Sequence, residues 1–412
     1  MKDVLALILA GGRVDDLGVL TFFRPKSILP FGGLYRIIDF PMSNLMHSGI
    51  GRVGIFSQYR PFHLMEHISN GAPWGMIGRK RFATILPPFK GLGESDWYKG
   101  TADAVYQNLD FIRLNQPDLI LILSGDHVYR MDYRDIIEFH REKRADLTVA
   151  FTKVPREGAH RFGLGLIQDE DARGGRLLKY IEKPDRPAFD WASLTIYVFR
   201  PEVLVEALEA NARASSHEFG RDIIPALLKR YRVYGFKHSG YWGYTRTPQE
   251  YWETSMDLLG NNPGLAIDTW DVVTNLAHWD IQDRQPAFVG SSAIIKNSLL
   301  YSGCRIKGTV INSILFSGVE IDSGAVVKDS ILFFDTKIGR NARITRTIAD
   351  NKVRAGRNAR VGEAHDAGKL CIIGRGTDIP EGITISHGVT IFPNLGPEHF
   401  KKSHFAPGDT IQ

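Results

Sequence analysis

Apolar runs of five to seven residues, each closed by glycine or a small polar residue, recur through the first 260 positions. Leu119–Leu123 (LILIL) is the clearest, a run without a polar position that predicts a strand buried on both faces and that leads into Ser124, Gly125, Asp126 and His127. Val4–Leu9, Arg52–Phe56, Leu147–Phe151, Leu178–Glu182 and Ala192–Phe199 read as further strands. Between them, amphipathic spacing predicts helices over Tyr133–Lys143, Pro201–Asn211, Asp222–Tyr231 and Tyr251–Leu259, with another opened by Gly100 and Thr101. Strands alternating with helices indicate an α/β domain with a largely parallel sheet and helices on both faces.

From Phe288 the pattern changes. Aliphatic residues recur at steps of six, as in Ile294, Leu300 and Ile306, or Ile373, Ile379, Ile385 and Ile391, with Gly, Asn, Asp and Ser between them. That period predicts a parallel β-helix in which each aliphatic side chain stacks on its equivalent one coil away. A series of short antiparallel strands would explain the β-branched residues but not the step. Glu363–Lys369 breaks the repeat and reads as an extruded loop. The expected division is therefore residues 1–260 as an α/β domain, 261–286 as a linker and 287–412 as the β-helix.

Composition narrows the chemistry. Hydrophobic residues make up 43% of the 412 and charged residues 24%, and no apolar run approaches a membrane-spanning length. Val4–Ala10 imitates a signal-peptide core but follows Asp3 and ends in a glycine turn, as a first strand would. A formal charge of +5 suits anionic small molecules, and without a long basic run or an aromatic-interleaved patch it gives no reason to expect nucleic acid. Cys304 and Cys371 are the only cysteines, which excludes a disulfide scaffold or a Cys-rich zinc site and fits a cytoplasmic location.

Several residues stand where chemistry can occur. Asp126 arrives at a strand's carboxyl end, where open α/β sheets bind ligands, and can hold a cation there. Gly11 and Gly12 follow the first strand as a turn whose amides can face a phosphate. Arg24 and Lys26, beside prolines and ahead of a glycine pair, suggest polyanion binding. Gln58 is of a type that reads a base edge, and Lys183, directly before Pro184, is expected to sit extended and aimed. His365 and His387 are the only plausible bases for an acyltransferase in the β-helix, which fits poorly.

With these residues in view, the chain resembles the sugar-1-phosphate nucleotidyltransferases, and most closely the ADP-glucose pyrophosphorylases. The resemblance spans nearly the whole chain and is carried by Phe31-Gly32-Gly33 through Tyr35-Arg36-Ile37-Ile38-Asp39-Phe40-Pro41, by Trp97-Tyr98-Lys99-Gly100-Thr101-Ala102-Asp103, by Ser124-Gly125-Asp126-His127 and by Glu182-Lys183-Pro184. It implies a Rossmann-like nucleotidyltransferase domain followed by a left-handed β-helix. It implies that Asp126 binds catalytic Mg²⁺, with Arg24 and Lys26 as cations near the nucleotide's phosphates. Tyr98, Gly163, Glu182, Lys183 and Ser193 would grip glucose 1-phosphate. Leu9, Ala10, Gly11, Gly12, Gln58, Gly100 and Thr101 would surround ATP. A homotetramer and control by a phosphorylated metabolite, with Arg24, Lys26, Arg36, Arg340 and Arg343 available to it, are also family traits.

Two positions depart from the family's pattern. Val14-Asp15-Asp16-Leu17 replaces a Gly-Thr-Arg-Leu run, and Trp242-Gly243-Tyr244-Thr245-Arg246-Thr247 replaces Trp-x-Asp-x-Gly-Thr, whose aspartate is the second metal ligand. One expectation is that charges have been exchanged between the two loops, with Asp15 or Asp16 taking over a metal or ion-pair role and Arg246 or Arg13 supplying the missing cation. The alternatives are a catalytically silent partner subunit that binds sugar phosphate, or a transferase of the same fold using another nucleotide or sugar.

Overall fold

The computed structural model describes residues 3–12, 14–89, 97–261, 263–267, 269–363 and 368–412. Arg13 and His365 lie outside them, as does the middle of the loop read at 363–369. By internal packing the chain divides into two compact units, Met1–Gly12 with Ile38–Trp242 and Arg13–Ile37 with Gly243–Gln412. Among the described residues no helix is long and apolar enough to cross a membrane.

The first unit is built on a nine-stranded sheet. Its strand order is Phe82–Leu86, Arg52–Phe56, Val4–Leu9, Leu119–Ser124, Trp191–Phe199, Leu147–Lys153, Val233–Lys237, Gly174–Glu182 and Gly163–Asp171. The first four strands run parallel, whereas Trp191–Phe199 lies antiparallel to both of its neighbours. Leu119–Leu123 is buried throughout, as its unbroken apolar run predicts, and each such side chain contributes about 1.5–3 kcal/mol of transfer free energy. One face packs Leu5, Leu7, Ile120, Ile122 and Val149 against the helical residues Val105, Ile112, Leu204 and Leu208.

The chain lays its first three strands outward from Val4–Leu9, then returns to that strand's other side with Leu119–Ser124. This reversal opens a crevice between the carboxyl ends of two adjacent parallel strands. Leu9 stands opposite Ser124 there, so the glycine turn and Asp126 emerge side by side.

In the second unit, three parallel sheets of six, seven and seven strands wrap into a β-helix. Glu320 pairs with Lys337 and Lys337 with Arg354, giving coils of 17 residues rather than three full hexapeptides. The shortfall falls between Ile344 and Ala349, where the inward step is five. Corners use left-handed Asn312 and Asp329 (φ 47° and 48°), and Asn312 Nδ2 donates to Asp329 Oδ1 at 2.7 Å. Beside them Ser330 N donates to Ser313 Oγ (3.1 Å) and Thr347 N to Ser330 Oγ (3.2 Å), so hydroxyls bridge successive coils.

Among the described residues of the segment 261–286 there is no helix or strand, yet the segment buries Trp270, His278, Asp280 and Ile281. Residues 14–37 pack in this unit too. The antiparallel pair Pro30–Phe31 and Tyr35–Arg36 turns at Gly32 and Gly33, both at positive φ. A Cβ on Gly33 would lie 2.0 Å from the Tyr301 ring, so both backbone conformation and space demand glycine there. Helix Pro248–Met256 begins with a capping box between Thr247 and Glu250.

Candidate active site

In the first unit the glycine turn is set by backbone bonds to the strands on either side. Ala10 N donates to Phe56 O (3.2 Å), Gly125 N to Leu9 O (2.9 Å) and Tyr59 N to Gly11 O (3.0 Å). A Cβ on Gly11 would stand 2.6 Å from Gln58 N, and one on Gly125 would stand 2.9 Å from the Ala10 Cβ. The turn is therefore closed against its neighbours by the absence of side chains.

Asp126 is about a quarter exposed at the end of its strand. Ser124 Oγ donates to Asp126 Oδ1, and His127 Nε2 lies 3.5 Å from the same oxygen. The His127 ring meets Trp242 edge-on at 5.6 Å, and Trp242 meets Phe162 at 5.5 Å, making an aromatic wall behind the carboxylate. Among the described residues no group of three or more His, Cys, Asp or Glu side chains converges to hold a metal. One partly exposed carboxylate fits a Mg²⁺ that takes its remaining ligands from water and substrate phosphates.

Gln58 is engaged by the backbone of Tyr98, whose N–H it accepts and to whose carbonyl its amide donates at 3.5 Å. It thus ties the strand end at 57–59 to the segment bearing Tyr98. The Tyr98 hydroxyl donates to Leu86 O (3.1 Å) and accepts from Asn108 Nδ2 (3.1 Å), and burial raises its pKa above the usual phenol value. Thr101 Oγ1 donates to Glu218 Oε2 (2.6 Å) and accepts from Phe219 N (3.1 Å), bracketing helix Thr101–Tyr106 to the turn at 216–223. Gly100 permits this approach, since a Cβ would lie 2.3 Å from His217 O.

Four of the five residues assigned to glucose 1-phosphate gather round one carboxylate or its neighbours. Glu182 Oε2 accepts from Tyr180 Oη (3.1 Å), and Lys183 Nζ lies 3.9 Å from Glu182 Oε1. A Cβ on Gly163 would come 2.6 Å from Glu182 Oε2, and one on Gly220 would come within 2.1 Å. Ser193 is buried on the neighbouring strand, its Oγ accepting from Thr195 N at 3.4 Å, and burial raises the pKa of Tyr180 and of Tyr197 so that both stay neutral phenols. Beyond it Thr195 takes a positive φ of 56° at a bulge in the strand.

Lys183 corrects a sequence expectation. Its backbone is left-handed, with φ 45°, rather than extended, because its N–H turns back to donate to Phe162 O at 3.1 Å. The side chain is half exposed. Gly220 and Glu218 went unread in the sequence. A glycine inside a helical stretch signals close approach only once its neighbour is known.

In the second unit, Arg24 is buried, donates to Leu20 O (3.1 Å), pairs with Asp350 of the β-helix and lies 5.7 Å from the Phe333 ring centroid. Arg36 is equally buried, 2.9 Å from Asp280 and 4.6 Å from the Phe334 centroid. Arg340 and Arg343 are exposed. Lys26 is buried with Nζ 5.7 Å from the centroid of Tyr244, the residue standing at the missing carboxylate's position. Arg246 Nε donates to Asp16 Oδ2 at 2.6 Å, so the two departures from the family pattern are joined as an ion pair.

The family model described as nucleotidyl transferase matches residues 5–261, and the GlmU-like C-terminal hexapeptide model matches 287–371. The latter agrees with reading the coils as a left-handed β-helix. A glucose-1-phosphate adenylyltransferase of Thermotoga neapolitana is 45% identical over 427 aligned residues, covering 100% of this chain and 99% of the relative. The same enzyme of Thermotoga maritima has the same identity and coverage. That of Clostridium perfringens is 42% identical over 336 residues, covering 80% of this chain and 83% of its own. Matched from end to end and carrying both domains in order, the chain belongs to the glucose-1-phosphate adenylyltransferase family of nucleotidyl transferases.

Proposed function

We propose that this protein transfers the adenylyl group of ATP to glucose 1-phosphate, giving ADP-glucose and pyrophosphate for glycogen- or starch-type glucan synthesis. Full-length identity to adenylyltransferases is the observation that carries the reading, and Asp126 at the strand switch point supports it. The sugar phosphate's oxygen attacks the α-phosphorus in line and pyrophosphate leaves. Because two polyanions must meet, the protein's work is orientation and charge neutralisation, with no covalent intermediate.

In this reading Lys183 takes the sugar phosphate, and Glu182, held by Tyr180 and two glycines, accepts from the sugar hydroxyls. Tyr98 and Ser193 shape the same pocket. The turn at Ala10–Gly12 offers amides to the nucleotide, with Leu9, Gln58, Gly100 and Thr101 fixing its surroundings. Asp126 would hold Mg²⁺, which when bound would neutralise phosphate charge and polarise the α-phosphate. Lys26 supplies a cation on the nucleotide side, and Arg24 keeps Lys26's segment in place through Asp350. We further propose a cytoplasmic homo-oligomer, a tetramer by family resemblance, with the exposed Arg340 and Arg343 open to a phosphorylated effector.

Tyr244 and the paired Asp16 favour a second reading, a silent subunit that binds sugar phosphate. Pyrophosphate release from glucose 1-phosphate, Mg²⁺ and each of ATP, GTP, UTP and dTTP separates the two. Turnover fastest with ATP supports the adenylyltransferase, a different preferred nucleotide moves the base assignment, and no turnover from folded protein supports the silent subunit.

A further inference from the structure

Helix Asp39–His47 carries a buried asparagine, Asn44, in its last turn, and a buried serine, Ser48, caps its carboxyl end. Asparagine is a poor helix residue because its side chain competes for backbone bonds, and a buried amide costs free energy unless it is paired. Asn44 is paired outside its own helix. Its Nδ2 donates to Tyr129 O at 2.9 Å and its Oδ1 accepts from Met131 N at 3.3 Å, so one planar amide grips the chain at two points. One turn on, Ser48 Oγ accepts from Tyr133 N (2.8 Å) and donates to Asp132 Oδ1 (3.3 Å).

The gripped chain is the one that leaves Asp126. Ahead of the carboxylate, Gly125 N is held by Leu9 O (2.9 Å). Behind it, His127 and Val128 alone separate Asp126 from Tyr129. Val128, Tyr129 and Met131 are buried as well, and Arg130 N donates to Tyr241 O at 3.2 Å. Successive peptide groups of an extended chain face opposite edges, so Tyr241 holds one edge of this segment and Asn44 the other. Apolar packing is non-directional, whereas the two bonds from Asn44 set the rotation of the peptide planes that follow the carboxylate.

We propose that Asn44 is a positioning residue for the metal site: by holding Tyr129 and Met131 it fixes where Asp126 presents its carboxylate. The inference rests on the adenylyltransferase reading, in which Asp126 holds Mg²⁺. Every residue in it belongs to the first compact unit. A support behind a metal carboxylate changes what the metal adds to ATP binding and leaves the rest of the ATP contact alone.

That difference supplies the test. Equilibrium binding of ATP to the full chain is measured with Mg²⁺ and again in EDTA, together with urea unfolding, for the wild type, Asn44→Ser, Asn44→Ala, Ser48→Ala and Asp126→Asn. The ratio of the two ATP affinities reports the metal's contribution. It should fall about tenfold in both Asn44 variants, the lower end of the cost of losing a support behind a metal ligand, and stay within about twofold in Ser48→Ala although that variant also loses buried bonds. ATP binding in EDTA should match wild type in the Asn44 and Ser48 variants. An unchanged ratio in the Asn44 variants overturns the proposal, as does an equal fall in Ser48→Ala or failure of both Asn44 variants to fold, each of which makes Asn44 a residue of the fold. A ratio unaltered by Asp126→Asn overturns the metal assignment and the proposal with it. A wild type that shows the Mg²⁺ gain yet releases no pyrophosphate overturns the transferase reading and leaves the proposal standing, since neither measurement needs turnover.

Discussion

Glu182 lies against Gly220, with Oε2 2.1 Å from where a Cβ on that glycine would begin. Gly220 sits within the wide, π-helical turn Phe219–Ile223, and it is not among the residues at positive φ. The requirement for glycine is therefore steric: the carboxylate occupies a side chain's place. Gly220→Ala should push Glu182 off its partner Tyr180 and lower kcat/KM for glucose 1-phosphate by about 10–100-fold, the usual cost of a misplaced binding group. The melting temperature should change by only a few degrees. Steady-state kinetics with the sugar phosphate varied at saturating ATP checks this, and an unaltered KM would remove Glu182 from the binding group.

Asp126→Asn keeps the shape of the side chain and its bond from Ser124 but removes the charge. If this carboxylate holds Mg²⁺, kcat should fall by about 10³-fold or more. The Mg²⁺ concentration giving half-maximal rate should rise in any residual activity, while urea unfolding stays near wild type. Loss of stability without a change in Mg²⁺ dependence would assign Asp126 to the fold.

Arg24 and Asp350 have side chains 8% and 1% exposed, so removing one leaves the other charged and buried. Asp350→Ala or Arg24→Ala should cost about 3–5 kcal/mol, whereas the paired change Arg24→Met/Asp350→Leu should cost much less. Chemical denaturation followed by tryptophan fluorescence reads the difference. A double variant as unstable as the singles would mean that Arg24's bond to Leu20 O and its place over Phe333 matter more than the pairing.

His140, on helix Tyr133–Glu142, accepts or donates at Thr148 Oγ1 (2.9 Å) and is buried, which lowers its pKa from 6.5 to about 4. The folded protein therefore holds it neutral while the unfolded chain protonates it below pH 6.5. Stability conferred by the neutral ring is complete above pH 6.5 and is lost as pH falls toward 4, by roughly 3 kcal/mol at the lower end. His140→Gln should be less stable at neutral pH but flatten this acid limb, as thermal melts from pH 7.5 to 4.5 would record.

What was legible in the sequence is what local periodicity encodes. Leu119–Leu123 announces a doubly covered strand because no position in it is polar, and Pro201–Asn211 is a helix with the expected bounds. The sixfold spacing of Ile373, Ile379, Ile385 and Ile391 places each inside the coils. Features set by distant partners were hidden. Helix Asp222–Tyr231 shrinks to Ile224–Leu227 after a wider turn that brings Gly220 to Glu182. Arg24 finds Asp350 across 326 residues, and no spacing rule within residues 14–37 announces that they pack with the β-helix. Likewise the apolar residues of 261–286 read as an irregular connection because they bury themselves without regular structure.

The β-helix pairs Val361 with Ile385 and Ile348 with Ile372, although twelve positions separate the inward-facing Val361 and Ile373, against five between their partners Ile344 and Ala349 in the preceding coil. Each coil meets only the coils before and after it, so the stacking register is set face by face and extra chain can leave at a corner without displacing the strands beside it. For this protein the β-helix is thus a scaffold of adjustable circumference and countable height. Corners are its sites of evolutionary freedom, and a peptide inserted between Val361 and Ile373 should be carried without loss of the stack.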